Sequence, residues 1–263
     1  MIDIGVNLTG SAFHHDIAAV IERAAHVGVT TMVVTGTDVE HSQAALELTQ
    51  QFPQNLYATA GVHPHHASEC NDKTLAILEQ LAQHEKVVAI GECGLDFNRD
   101  YSPRDVQEKW FEAQLELASG LQLPVFLHQR DAHERFLGLM QHWRPKLMAA
   151  VAHCFTGNME EAQAYIDLDM HIGVTGWICD ERRGESLQQA VKHIPENRLM
   201  LETDAPYLLP RDLQPKPKDR RNEPMYLPHI CQVLAGLRNQ DVSELARMTT
   251  ATSREFFRLL HEP

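Results

Sequence analysis

Eight short apolar runs, spaced so that a helix-like segment fits between each pair, constrain this chain more than any other feature. They fall at residues 1–6, 29–34, 56–60, 87–90, 124–127, 147–152, 171–174 and 198–201. Runs of this kind read as strands buried on both faces, which is the habit of parallel sheets. Between them lie amphipathic stretches. Residues 14–27 place Ile17, Val20, Ile21 and Ala24 on one helical face. Asp38 caps a helix through Gln51, and Asn71 or Asp72 opens one through Leu81. Ser102-Pro103 starts a helix that Gly120 would close as its C-cap. Residues 131–142, 159–168 and 184–193 follow, and two further helices are expected over 226–260. Strictly alternating strands and helices predict a (β/α)8 TIM barrel spanning 1–263 as one domain. An open doubly wound sheet is the runner-up, and the absence of a G-x-G-x-x-G or P-loop after any run weakens it. The Pro- and Arg-rich stretch 206–228 reads as a long loop after the eighth strand.

In a barrel, every strand points its C-terminal end to one face, and that face binds ligands. Those ends are unusually rich in ionisable groups. The third run leads to His63 and His65, the fourth to Glu92, the fifth to His128, the sixth to His153 and the eighth to Asp204. Glu92 abuts the buried run 87–90, where a carboxylate is costly unless something positive meets it. The mixture of imidazole and carboxylate suits Zn²⁺, Mn²⁺ or Mg²⁺. These six residues are therefore the candidates to meet at a metal, with Glu92 the first choice of ligand. Cys93 and Cys154, which follow two of them, lack a helix start or base partner and are expected to be packed thiols.

Composition narrows the partners. The net charge is −13, with 23 Lys and Arg against 36 Asp and Glu, so the chain repels a phosphate backbone at long range. Any nucleic acid must be gripped by a local basic rim or a metal. No apolar run approaches the roughly 20 residues of a membrane helix. Five cysteines without a C-x-x-C pair argue for reduced thiols in a cytoplasm, and the N-terminus carries no signal-peptide pattern.

Five blocks carry a more specific resemblance. They are Gly61-Val62-His63-Pro64-His65, Gly91-Glu92-Cys93-Gly94-Leu95-Asp96, His128-Gln129-Arg130, His153-Cys154-Phe155-Thr156-Gly157 and Glu202-Thr203-Asp204-Ala205-Pro206-Tyr207. They resemble the signature blocks of the TatD-family metal-dependent deoxyribonucleases, which belong to the amidohydrolase-like barrels. Asp96-Phe97-Asn98-Arg99 and the run 176–184 are similar to the bacterial TatD branch. The resemblance implies a divalent-metal site, hydrolysis of DNA phosphodiesters, 3′→5′ exonuclease action on single-stranded DNA with RNA as a further substrate, and a role in DNA repair. It places the family's metal ligands on Glu92, His128 and His153 and its strand-eight aspartate on Asp204.

One block departs from the pattern. Most of the family opens with D-x-H-x-H-L, whose histidines bind the more buried metal, whereas this chain reads Asp3-Ile4-Gly5-Val6-Asn7-Leu8. Gly5 offers no ligand and Asn7 only a neutral carbonyl oxygen. One tight metal, with a second arriving with substrate, is therefore expected, and Mg²⁺ suits such a site. Asp204 is the expected proton acceptor. Glu92 also serves catalysis as a ligand, while His63 and His65 are candidates to contact phosphate or protonate the leaving oxygen. Arg130, Arg182, Arg183, Arg211 and Arg221 make the expected phosphate-binding rim, and Phe97, Trp177 and Tyr207 are candidates to stack bases. A monomer is expected. The competing readings are a barrel hydrolase acting on a small molecule and a non-catalytic binding protein; Glu92, where many amidohydrolase-like enzymes carry a bridging lysine, favours the nuclease branch.

Overall fold

A computed structural model describes residues 1–259. Its single sheet holds eight parallel strands in chain order: β1 (Ile2–Val6), β2 (Thr31–Val34), β3 (Leu56–Ala60), β4 (Val87–Asp96), β5 (Val125–Arg130), β6 (Ala150–Ala152), β7 (His171–Val174) and β8 (Leu199–Leu201). Helices separate them: α1 (Ile17–His26), α2 (Val39–Gln51), α3 (Asp72–Ala82), α4 (Arg104–Leu121), α5 (His133–Trp143), α6 (Met159–Asp167) and α7 (Glu185–Ala190). After β8 come α8 (Leu227–Arg238) and α9 (Val242–Phe256). The fold is the expected (β/α)8 barrel. The end of the last expected helix, at residue 260, lies outside the described residues.

The ring closes where β1 meets the exit of β8. Val6 bridges to Ala205, Asn7 N–H donates to the Ala205 carbonyl, and Asp204 N–H donates to that of Gly5. The buried Asp3 carboxylate accepts from the backbone N–H and the hydroxyl of Thr203, a charge-assisted clasp between first and last strands.

Helix starts follow the expected chemistry. Asp38 and Asn71 accept from His41 N–H and Lys73 N–H as N-caps of α2 and α3. Several boundaries differ from the sequence reading, three of them with a visible cause. α1 begins at Ile17 because residues 11–16 form turns. α4 passes through Gly120 and ends at Gln122, whose left-handed backbone (φ +53°) returns its N–H to Ala118 and Ser119. Most consequential, β4 does not stop at Ile90. It shifts register between Gly91 and Cys93 and runs on to pair Asp96 with Arg130 of β5. Gly91 and Gly94 make this possible. They take φ of +143° and +150°, and a Cβ on either would run into the β5 carbonyls of Phe126 or His128. The extension carries Glu92 and Asp96 past the apolar part of the barrel on one strand.

Candidate metal centre and nucleic-acid mouth

The strand ends converge on one atom. Glu92 Oε1 lies 2.6 Å from His153 Nε2, 3.0 Å from His128 Nδ1 and 3.4 Å from His63 Nε2. Glu92, His63 and His153 are buried. Burial works against ionising Glu92, but the charge of His153 and the hydrogen bonds from His128 and His153 hold its carboxyl well below the usual range. Conversely, the carboxylates outweigh burial at His153 and His128 and push both imidazoles up.

The second nitrogen of each ring defines its role. His153 Nδ1 faces Glu202 Oε2 at 3.1 Å, and His128 Nε2 faces Asp96 Oδ2 at 3.3 Å. In the neutral rings those nitrogens carry the proton, which leaves His153 Nε2 and His128 Nδ1 as lone pairs aimed at Glu92. Without a cation, both rings press both nitrogens against carboxylates and must take an extra proton to do so. The donor set therefore fits a divalent cation, whose positive charge the site otherwise borrows from protons. His63 differs. Its Nδ1 accepts from His65 N–H at 3.1 Å, so the neutral ring holds its proton on Nε2 and donates towards Glu92. Burial pushes His63 down to about 4, which keeps it neutral. Its Nε2 faces Glu92, and His63, Glu92 and His128 bring one ligand atom each within 4.8 Å of one another, a spacing that could also hold a metal ion.

Asp204 lines the same cavity of about 320 Å³, together with Asn7, His65 and Tyr207. Asn7 Nδ2 donates to Asp204 Oδ1 at 3.0 Å, so Asn7 serves as a donor here, not as a neutral carbonyl ligand. Burial pushes the Asp204 carboxyl up to about 7, with Glu92 and Glu202 adding repulsion against the opposing pull of His153 and Asn7. His65 does not meet Glu92; its Nε2 lies 2.7 Å from Asp96 Oδ2. Burial opposes ionisation of Asp96 too, but hydrogen bonds from His128 and His65 hold it far below its ordinary value.

Glu202 and Asp96 hold these rings in place, and the sequence reading gave neither a role. Strand alternation was the available signal: Asp96 is four residues beyond Glu92, and Glu202 two before Asp204. Glu202 also explains the missing histidine. A Cβ on Gly5 would sit 2.6 Å from Glu202 Oε2, and one on Gly173 would strike Oε1. The fully buried carboxylate fills the space a side chain at position 5 would need, and it accepts from Cys154 N–H.

The rim is less open than its charges suggest. Arg221 is a correction. Its guanidinium donates to the Ala12 carbonyl, to both oxygens of Asp16 and to Glu223, and it lies over Phe13, so it staples the loop after β8 to the segment before α1. Arg183 bonds Asp180 and stacks on Trp177 at 4.3 Å; Arg182 lies 3.6 Å from Asp180. Arg211 bonds Glu181. Arg130 has no carboxylate partner among the described residues and lies over the Trp177 ring at 5.6 Å. It lines a cavity of about 640 Å³ with Phe97, His133, Thr156 and Tyr165, and His153 lines both this cavity and the one at Glu92. Tyr207 and Tyr101 are exposed aromatics at the mouth, Tyr101 against the His65 ring at 4.7 Å. Burial raises the Cys93 and Cys154 thiols, in keeping with packed, protonated sulfurs.

Comparison with known proteins agrees with this geometry. Residues 2–258 match the profile of the TatD related DNase family. A 3'-5' ssDNA/RNA exonuclease TatD of Erwinia tasmaniensis is 54% identical over 98% of this chain and 100% of its own length. The protein of that name from Edwardsiella piscicida is 52% identical with the same coverage. Among solved structures, a TatD homologue of Escherichia coli K12 superposes with a TM-score of 0.90 at 30% identity, covering 99% of this chain and 98% of its own.

Proposed function

The chain belongs to the TatD-related DNase family and is a hydrolase with nuclease activity, and from that premise we propose that it removes nucleotides one at a time from the 3′ end of single-stranded DNA and RNA. The family implies a divalent cation, and we assign its seat to Glu92, His128 Nδ1 and His153 Nε2. When bound, the ion polarises a phosphoryl oxygen and acidifies water. Mg²⁺ is our choice, because three protein donors leave room for waters and phosphate oxygens. The observation that carries this reading is the meeting of two imidazole nitrogens from separate strand ends on one buried carboxylate oxygen.

The chain's own groups supply the rest. Asn7 holds Asp204 Oδ1, which leaves Oδ2 to accept the proton of the attacking water; a carboxyl near pH 7 is matched to that task. His63 Nε2–H donates to the bound phosphate. His65, oriented by Asp96 and the most solvent-facing of these rings, delivers a proton to the departing oxygen. Arg130 is the phosphate anchor, since no carboxylate pairs with it among the described residues, and Arg211, whose exposed pair with Glu181 is weak and can exchange partners, can join it. A mouth this narrow on a chain of charge −13 selects an unpaired strand end over a duplex. The protein acts as a monomer, and its five free thiols suit a reducing cytoplasm. Trimming frayed 3′ ends would serve DNA repair.

The test is digestion of single strands labelled at either end, with EDTA, Mg²⁺, Mn²⁺ or Zn²⁺. Stepwise shortening from the 3′ end that stops in EDTA is expected. Internal cleavage, shortening from the 5′ end or indifference to EDTA would overturn the proposal.

A further inference from the structure

Three donors of different chemistry meet on the catalytic face away from Glu92, and none of them lines its cavity. Cys179 ends the short 3₁₀ turn Gly176–Cys179 that leaves β7. Asp212 belongs to the long loop after β8, and His229 sits in the first turn of α8. One donor atom from each lies within 4.8 Å of the other two. His229 Nε2 is 2.8 Å from Asp212 Oδ1. The close approach has a structural cause: Gly176 has no side chain, and a Cβ there would collide with the Leu208 carbonyl and the Pro210 ring. The loop after β8 therefore rests directly on the turn that holds Cys179.

We propose that Cys179, Asp212 and His229 form a second metal site, for a thiophilic divalent cation of the zinc type, with a water completing its coordination. Sulfur, imidazole and carboxylate are the zinc donor set, and thiolate plus carboxylate neutralise a dication. Bonds of about 2.0–2.3 Å place tetrahedral ligands about 3.3–3.8 Å apart, so the imidazole–carboxylate pair opens by about 0.5 Å and the widest spacing closes by about 1 Å. The exposures are graded as entry from solvent requires: the Cys179 sulfur is buried, the His229 side chain is 26% exposed and that of Asp212 46%. On binding, the thiol proton leaves to solvent and the imidazole proton moves to Nδ1, where it meets water. The site ties the segment that carries Tyr207 and Arg211 to the barrel, so it acts as a structural clamp on the mouth rather than as a catalytic centre.

Cobalt(II) titration of the metal-free protein tests this, because a thiolate ligand gives cobalt an intense near-ultraviolet charge-transfer band. Wild type and the Cys154→Ser variant should show the band at one sulfur-bound cobalt per chain, and zinc should displace it. Cys179→Ser should lack it. Asp212→Asn, a change at a half-exposed side chain that leaves the fold intact, should weaken cobalt binding at least tenfold. No band in wild type, a band that survives in Cys179→Ser, a band lost through Cys154→Ser, or unchanged affinity in Asp212→Asn would each overturn the proposal.

Discussion

Phe126 and His128, Val151 and His153, Met200 and Glu202 are neighbours two residues apart on β5, β6 and β8, yet they belong to opposite chemistries. Alternation puts each pair on one side of its strand. The lower member joins a dry apolar cluster with Ile2, Ile4 and Val33, closed from below by Phe256, Phe257 and Leu259 at the end of α9. The upper member joins a set of imidazoles and carboxylates in which His153 and Glu202 are buried and His128 half-buried. The Phe126 ring crosses the boundary, stacking on that of His153 at 4.4 Å. The lower half holds by area removed from water and tolerates rearrangement; the upper half holds by charge and tolerates none. A single barrel therefore separates what keeps it folded from what makes it a nuclease.

The sharpest way to break this division is at Glu92. Glu92→Ala should lower nucleotide release by at least about a thousandfold, about 4 kcal/mol in barrier, while circular dichroism and melting show an intact fold. Full activity would remove Glu92 from the centre. The mirror experiment is Phe256→Ala, which should cost about 3–5 kcal/mol of stability in denaturant titration, with activity per folded molecule unchanged. A specific loss of activity there would show that the halves are coupled. Glu202→Gln tests the boundary. It keeps the shape but offers His153 Nδ1 an amide donor or a single oxygen, and it should weaken metal binding about 10–100-fold by calorimetry. An unchanged affinity would reduce Glu202 to a space filler for Gly5.

How far the sequence foresaw this differs between the halves. The strands and the exposed ends of the barrel follow from apolar runs and from capping residues such as Asp38 and Asn71, which are local signals. Glu92, His128, His153 and Asp204 were identifiable because each follows a strand. Asp96 and Glu202 were hidden because their importance lies in which ring nitrogen they face, a three-dimensional fact. The same limit applies to Arg221. Glu223 is two residues away, but nothing near Arg221 in sequence announces that Asp16, 205 residues away, also takes up its charge. β4 was read short because a glycine usually ends a run, whereas Gly91 here lets the strand shift and continue.

The smallest expected effect lies at the lower end. His171 begins β7 with its ring on Phe256 at 5.0 Å and its buried Nδ1 without a hydrogen-bond partner among the described residues. Burial first, then Arg198, pushes its pKa down to about 4. A depressed imidazole favours the folded state above the ordinary value of about 6.5, and that contribution is lost as pH falls through about 4. His171→Gln should therefore flatten the decline of melting temperature between pH 7 and 4 relative to wild type. An identical decline would assign acid sensitivity elsewhere.

The aromatic stopper at the foot of the barrel has a consequence for biosynthesis. A ribosome delivers residues in order, and Phe256 and Phe257 emerge after every strand has been made. Until then the apolar side chains at the foot, among them Ile2, Ile4, Val33 and Met200, lack the cover that these rings give them. The barrel therefore reaches its final packing only after its eighth strand and the helices beyond it have all been made.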